Sequence, residues 1–591
     1  MKRIRFLATV FILIHMLLQG ATLQQQLQLD MKSGKVDRRT STVYQMLSIY
    51  DPLQLPADYQ SLISLPVKSG FGVNLQVMQL WDTFSDDQKS ILEPFMMRPS
   101  RSTLPEEFVS QTGLFRIHYT NQGRNAVPQD DSDASGIPDY VELAATAFDS
   151  AYTVEVLEFG FDPPPSDNNV DGPEWDVYLQ NMWQYGSTTP ETKLSSSPDV
   201  WTGYLNVEND YAESFYTKGN NGLRVTAAHE FMHMIHLGYN LRDDNGYVDQ
   251  FLMEMSSTWM EDAVYDNVND YYQYLGVPYM YTGNGVFDGG NMPFDTFNGW
   301  YEYGMSIWFH YLDKRFESQL AKGEIMKRVW EALVDVPALE ALDRVLYQLN
   351  SSFQEELATF YAWNYRTGSR ADTDLYYPEG NAYPEMVLDG QYAFSVDTTI
   401  NEAINPTAAR YFHFTQERDG NSFVLIPVNL KWNEADTLNS VVLAIVNGES
   451  RENYTAVSES VLVRLVTDEG FHCSAFSETN QGFEYIPSVQ ISNFSKDDLP
   501  ASYPNPFLVH QHSAVSFPFY LTEPGFISLG IFTAAGYPVY HYDIYMDRAG
   551  IQNLKWNGLN DAGNLVAGGI YLYAVWDESG LVRREKFAVI R

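Results

Sequence analysis

His229-Glu-Phe-Met-His233 is the stretch on which the reading of this chain turns. On a helix, positions i and i+4 lie one above the other on one face, so His229 and His233 can hold one Zn²⁺ between them. Glu230 stands beside the pair, placed to take a proton from the water that such a metal activates. A strand-like run, Gly203-Tyr-Leu-Asn-Val, precedes the motif, and the motif itself sits in a helical pattern. Histidines that merely filled a surface or a core would not need that setting. Zinc takes a third protein ligand and keeps a fourth position open. A glycine at 236 and a histidine at 239 would supply the third ligand from the same segment, but His236 and Tyr239 stand there. The other common solution is a glutamate on a second helix. Residues 251–263 read Phe-Leu-Met-Glu-Met-Ser-Ser-Thr-Trp-Met-Glu-Asp-Ala, and Glu254 falls 21 residues after His233, with room for one loop between antiparallel helices. Glu254 is the expected third ligand. Glu261, seven residues on and on the same face, is its rival. If Glu254 ligates, Glu261 or Asp262 is free to accept a hydrogen bond from a ligand imidazole. His236, three residues past His233, is a further alternative. A tetrahedral oxyanion also needs a donor. Trp300-Tyr-Glu-Tyr-Gly offers Tyr301 and Tyr303, and Tyr303 is the candidate, with packing against a helix the simpler role for either.

A second motif lies upstream. Residues 131–142 read Asp-Ser-Asp-Ala-Ser-Gly-Ile-Pro-Asp-Tyr-Val-Glu, which fits a twelve-residue calcium loop position by position. Asp131, Asp133 and Ser135 occupy positions 1, 3 and 5, and Gly136 takes the tight turn. Ile137 offers its carbonyl, Asp139 stands at position 9, and Glu142 can ligate through both oxygens at 12. Pro138 stiffens the loop and no partner loop is evident, so the expected role of Ca²⁺ is structural.

The rest of the composition narrows the class. The chain has 591 residues, 37 Lys plus Arg against 76 Asp plus Glu, and a net charge of −39. Binding phosphates needs clustered cations, so nucleic acid and anionic membrane surfaces are excluded as expected partners. The single cysteine, Cys473, rules out an intramolecular disulfide and reads as a small buried hydrophobe. Lys2, Arg3 and Arg5 precede a near-continuous apolar run over residues 6–18, closed by Gln19-Gly20-Ala21. That is the pattern of a secretory signal peptide, residues 1–21, and the run is too short to span a bilayer. No later stretch has 18 consecutive apolar residues, so no stable membrane insertion is expected. Export without disulfides points to a bacterium, with the protein secreted or on the outer cell surface.

Four regions follow the signal. Residues 22–105 carry mixed helical patterning with no metal-ligand cluster and no cysteine, and read as a propeptide-like segment. Any latency it imposes must therefore come from steric blocking or a carboxylate. Residues 106–372 alternate strand-like runs, such as Leu114-Phe-Arg-Ile-His-Tyr and Asp176-Val-Tyr-Leu-Gln, with helical patterns at 139–158, 223–238, 251–265, 303–320 and 323–347. Residues 373–499 change to short alternating runs, among them Ser422-Phe-Val-Leu-Ile-Pro and Ser440-Val-Val-Leu-Ala-Ile-Val, read as a β-sandwich. Residues 500–591 form a second β module. The expected fold is multidomain: an α+β zincin-like domain followed by two Ig-like β-sandwiches.

Two resemblances sharpen this. The stretch from about 112 to 345 resembles a family of secreted bacterial zinc metalloproteases of the gluzincin type. The residues that carry it are Phe115-Arg-Ile-His-Tyr, the 131–142 loop, Pro163-Pro-Pro-Ser-Asp, Asp176-Val-Tyr-Leu-Gln, Ala227-Ala-His-Glu-Phe-Met-His and Met253-Glu-Met-Ser-Ser-Thr-Trp-Met-Glu-Asp. The resemblance implies zinc on His229, His233 and Glu254, with Glu230 as general base. Members often carry Gln where His236 stands. The last 90 residues resemble the C-terminal sorting domain of type IX secretion, and the related Ig-like domain of flagellar hook-capping proteins. Tyr503-Pro-Asn-Pro-Phe, Ala549-Gly, Trp556-Asn-Gly, Asp561-Ala-Gly, Gly569-Ile-Tyr-Leu-Tyr and the basic end at 586–591 carry it. The expected function is a calcium-stabilised zinc endopeptidase acting on protein or peptide and delivered by a secretion machinery. The alternative is a non-catalytic cell-surface binding or structural protein with a vestigial zinc helix.

Overall fold

The computed structural model describes residues 23–63, 66–196, 198–212, 214–241, 249–279, 285–288, 292–394, 400–404, 407–416, 427–429, 437–446, 449–450, 460–467, 473–476, 481–485, 502, 504–510, 512, 514–534, 536–546, 550–577 and 580–591. The expected signal peptide, the run Ser422–Ile426 and Tyr503 lie outside the described residues, as do the surroundings of the Cys473 side chain. The chain is multidomain, with a mixed α/β N-terminal region and a β-rich C-terminal region.

The N-terminal region is organised by one six-stranded sheet. Its strands are β1 (Val67–Ser69), β2 (Glu106–Val109), β3 (Phe115–Tyr119), β4 (Trp175–Gln180), β5 (Gln184–Ser196) and β6 (Asp199–Glu208), in the order β1-β5-β6-β4-β3-β2. β3, β4 and β6 run parallel, and β5 turns back antiparallel on β6. β1 then adds to the far edge of β5, parallel to it. The parallel strands are buried on both faces, as such strands are when helices cover them.

Five helices carry the argument: α1 (Phe71–Leu80), α2 (Asp139–Tyr152), α3 (Gly219–His236), α4 (Gln250–Val264) and α5 (Tyr301–Gly304). α3 is buried all round from Leu223 to His236 apart from Arg224, so it is a central rather than a surface helix. Two glycines let it approach the sheet. A Cβ on Gly186 of β5 would lie 2.7 Å from Glu230 Cγ and 2.7 Å from Thr226 Cγ2. A Cβ on Gly203 of β6 would lie 2.5 Å from Leu237 Cδ1. α4 packs on α3 and is itself buried from Phe251 to Asp262. The core joining sheet and helices runs from Phe115 and Ile117 through Phe231, Met232 and Trp259 to Trp308 and Phe360.

The helical pattern expected at 139–158 is α2 continued by a π-turn over Thr153–Glu158. Those at 223–238 and 251–265 are α3 and α4, within a few residues at each end. The pattern at 303–320 is broken into α5 and Ile307–Arg315, and that at 323–347 into Glu324–Ala332 and Ala338–Gln348. Pro337 precedes the last of these; it lacks an N–H and disfavours helix in the residue before it, so it starts a helix rather than continuing one.

Among the described residues beyond 390, the regular elements are strands alone. Thr437–Val446 pairs with Ser460–Thr467, which pairs with Ala409–Gln416, in a six-stranded sheet; a three-stranded sheet joins Ile400–Ile404, Gln481–Tyr485 and Pro427–Asn429. The last module sets a five-stranded sheet (Phe507–Leu508, Gly525–Thr533, Pro538–Met546, Gly569–Asp577, Gly580–Ile590) beside the pair Val515–Leu521 and Gly550–Trp556. Phe517, Trp556, Tyr573 and Phe587 form its own separate core. No helix among the described residues is long and apolar enough to cross a membrane.

Burial leaves a pH signature. Burial pushes Glu208 and Asp262 up to about 8 and Asp313 up to about 7. A carboxyl whose pKa is higher folded than unfolded binds its proton more tightly in the native state. The stability those protons carry is complete below about pH 4 and is lost as pH rises through about 7 to 8. The buried His229, His233, His236 and His310, held below their ordinary value, act the opposite way only up to about pH 6.5, so the unfolding temperature is expected to fall between about pH 7 and about pH 8.5. A melting temperature that rises over that interval would contradict it.

Candidate metal centre

α3 and α4 place three ligand atoms at one point. His229 Nε2 lies 3.1 Å from His233 Nε2 and 3.1 Å from Glu254 Oε2, and His233 Nε2 lies 3.3 Å from the same oxygen. Four donors held tetrahedrally at about 2.0–2.1 Å stand roughly 3.3–3.4 Å apart, so these spacings fit a zinc triad. The protonation pattern makes the same point. Burial lowers His229 to about 3 and drives His233 well down, so both rings are neutral with one proton each. His229 Nδ1 lies 2.7 Å from Glu261 Oε1, the natural place for its proton. Its Nε2 lone pair then faces the other imidazole and the carboxylate, an arrangement a cation satisfies. His233 Nδ1 meets Ser257 Oγ at 3.3 Å, which orients the second ring the same way.

The alternatives separate cleanly. Glu254, not Glu261, joins the triad; Glu261 sits on the opposite nitrogen of His229, where it holds ring and tautomer. His236 stays outside. Its Nε2 meets Ser256 Oγ at 3.2 Å and its ring stacks on Trp330 with centroids 3.9 Å apart. Asp262 faces away, towards His310.

Glu230 is fully buried beside the triad. Thr188 Oγ1 donates to its Oε2 at 2.9 Å, while Oε1 has no partner among the described residues. Burial first, and the Glu254 charge second, push its carboxyl up to about 8 against the hydroxyls of Ser69 and Thr188. A group poised near neutrality can both take and return a proton. Tyr303 is the tyrosine that faces this centre: its ring lies 6.2 Å from that of His229, and its phenol meets the main chain of Ser69. Tyr301 instead points to Tyr361 and Asp295.

Several supporting residues carry no signal in local sequence. Lys68 of β1 is buried, with Nζ 2.8 Å from Glu261 Oε2 and 2.5 Å from Asp270 Oδ2. Burial works against its charge, but Asp270 and Glu261 outweigh it and raise its pKa. Phe71 stacks on His233 with ring centroids 4.2 Å apart. Both come from the 22–105 segment, expected from sequence to be propeptide-like and to hold no metal-ligand cluster.

The 131–142 loop brings the carboxylates of Asp131, Asp133 and Asp139 together. Ser135 N–H donates to Asp131 Oδ1 and Asp133 Oδ1, and Gly136 N–H to Asp131 Oδ2. Gly136 has φ +85°, the left-handed turn its position requires. Ser135 Oγ reaches the Ile137 carbonyl at 3.3 Å, and Glu142, in the first turn of α2, stands outside the carboxylate group.

No family model and no curated protein matches the chain. Solved structures that share parts of it include the following three. PorZ of Porphyromonas gingivalis, described as an essential bacterial surface component of the type-IX secretion system, is 26% identical over 18% of this chain and 14% of that one, with a TM-score of 0.14. Truncated FlgD from Helicobacter pylori is 18% identical over 13% of this chain and 66% of that one, with a TM-score of 0.11. Dimeric latent PorU of Porphyromonas gingivalis is 11% identical over 33% of this chain and 20% of that one, with a TM-score of 0.14. The chain spans less than two thirds of each.

Proposed function

We propose that the chain is a secreted zinc endopeptidase of gluzincin type, stabilised by calcium, with a zincin-like catalytic domain and two Ig-like accessory modules. The observation that carries this reading is the convergence of His229, His233 and Glu254 within 3.1–3.3 Å, beside a buried Glu230 whose Oε1 is free. Zinc held by that triad supplies Lewis-acid polarisation of a scissile carbonyl and of a water. Glu230 accepts the proton of the attacking water and returns it to the leaving amine. Tyr303 donates its phenolic proton as a hydrogen bond to the oxygen on which charge builds. Glu261 and Ser257 keep the two imidazoles in register. The last 90 residues, on their sequence resemblance, address the protein to type IX secretion and to the outside of the cell.

Burial of all four central residues favours a second reading, a non-catalytic surface protein whose zinc helix is vestigial. The two readings part on cleavage of an unstructured peptide mixture by zinc-loaded protein freed of residues 22–105. Cleavage blocked by 1,10-phenanthroline is the expected result; bound zinc with no cleavage selects the second reading.

Calcium at the 131–142 loop is expected to raise the unfolding temperature by several degrees, on the order of 1–2 kcal/mol of binding free energy coupled to folding. The Asp131→Asn/Asp139→Asn variant is expected to lose that response in a calcium titration followed by calorimetry. An equal calcium response in the variant would remove calcium from this loop.

A further inference from the structure

The zinc triad and its base have no opening to solvent: His229, Glu230, His233 and Glu254 each expose 1% or less of their surface. One segment supplies several of the contacts that cover it. β1 lies along the edge of β5 with Val67 opposite Gln184 and Ser69 opposite Gly186, the glycine whose missing side chain admits Glu230. Gly70 N–H donates to the Gly186 carbonyl at 3.0 Å. Ser69 sits against Glu230 and meets the phenol of Tyr303 through its main chain. Phe71 covers the face of His233. Lys68 reaches past them to Glu261 and Asp270. One short stretch thus meets a metal-binding imidazole, the base, the phenol and the carboxylate behind His229.

We propose that residues 67–75 are an internal plug that fills the place an extended peptide must occupy, and that Lys68 is its latch. The proposal takes from the peptidase reading what the plug excludes; that the plug closes the site rests on the contacts above. Three features make it separable rather than a fixed part of the sheet. Leu27, Met46, Leu47, Val77 and Leu92 belong to a core of the N-terminal segment's own; Phe71 and Leu75 enter the core of the main sheet, Met78 packs beside them, and Leu104 packs on Tyr178 and Tyr204. β1 is three residues long and parallel, so its ladder holds weakly and the grip falls to polar contacts: the ion pairs of Lys68 at the site, Asn74 Nδ2 on the Thr188 carbonyl and Thr189 Oγ1, and, at the far end, the ion pairs of Arg98 with Asp167, Asp176 and Glu191. The segment is joined to β2 through residues 100–103, all exposed and in a turn, where a protease can cut. A buried ammonium is costly unless paired, and Glu261 and Asp270 pair it only while the plug is seated.

The test uses the full zinc-loaded chain with the recognition sequence of a site-specific protease inserted at residues 100–103. The first readout is the rate at which 1,10-phenanthroline strips zinc, before and after cutting; the second is cleavage of a quenched peptide. Cutting is expected to speed stripping on the order of ten-fold or more, as opening a local unit does, and to switch on cleavage. Lys68→Met, uncut, is expected to speed stripping in the same direction. Faster stripping without peptide cleavage keeps the plug and removes the peptidase reading. Equal stripping rates before and after cutting overturn the plug. So does full peptide cleavage by the uncut chain, or loss of near-ultraviolet circular dichroism on cutting, which would make the segment part of the fold.

Discussion

Glu230→Gln is expected to leave zinc bound and to lower kcat/KM for a quenched peptide by about three orders of magnitude, within the 10²–10⁴ range of general acid–base catalysis. Zinc stays because Glu230 is not among the three converging atoms. The substitution is nearly isosteric, so the side chain still fits over Gly186, where an added Cβ would lie 2.7 Å from Cγ of residue 230, and the Thr188 hydroxyl can still donate to the amide oxygen. What is lost is the group, pushed up to about 8, that takes the water's proton and returns it. The comparison is made on the cut, zinc-loaded protein, with metal content measured beside the rate. A rate within ten-fold of the parent would sink the general-base role. A rate loss that tracks loss of zinc would instead make Glu230 part of the binding site.

What could be read beforehand follows from range. His229, Glu230 and His233 share one helical turn, and the 131–142 loop is a single local run, so spacing alone exposes both. Glu254 and Glu261 share a face of α4, and periodicity cannot say which meets the paired Nε2 atoms of His229 and His233; packing of α4 on α3 puts one carboxylate at each nitrogen of His229, Glu254 at Nε2. Tyr303 and Tyr301 are two residues apart on one turn, and only their partners tell them apart. Lys68 was invisible for a plainer reason. Its partners lie 193 and 202 residues away, and a lone lysine in Pro-Val-Lys-Ser-Gly carries no local pattern. The same limit applies to the β-rich half: alternation marks strands, but pairing Thr437–Val446 with Ser460–Thr467, and the split into separate sheets, is set by non-local contacts.

The second large effect separates the two glutamates. Glu254→Ala is expected to abolish stoichiometric zinc, because it removes the oxygen that stands 3.1 and 3.3 Å from the two imidazole Nε2 atoms. Two histidines alone leave a site one ligand short of what zinc takes from a protein. Glu261→Gln is expected to keep zinc while weakening it by about 10–100-fold, the usual cost of losing an outer carboxylate. The amide oxygen that this substitution introduces can still accept the proton of His229 Nδ1, so the ring stays oriented, but Lys68 loses one of its two charged partners and keeps Asp270. Zinc affinity measured by competition with a chelator resolves the pair. Retention of one zinc in Glu254→Ala together with its loss in Glu261→Gln would reverse the assignment. Loss in both to the same degree would mean that Glu261 shapes the triad rather than merely steadying one of its rings.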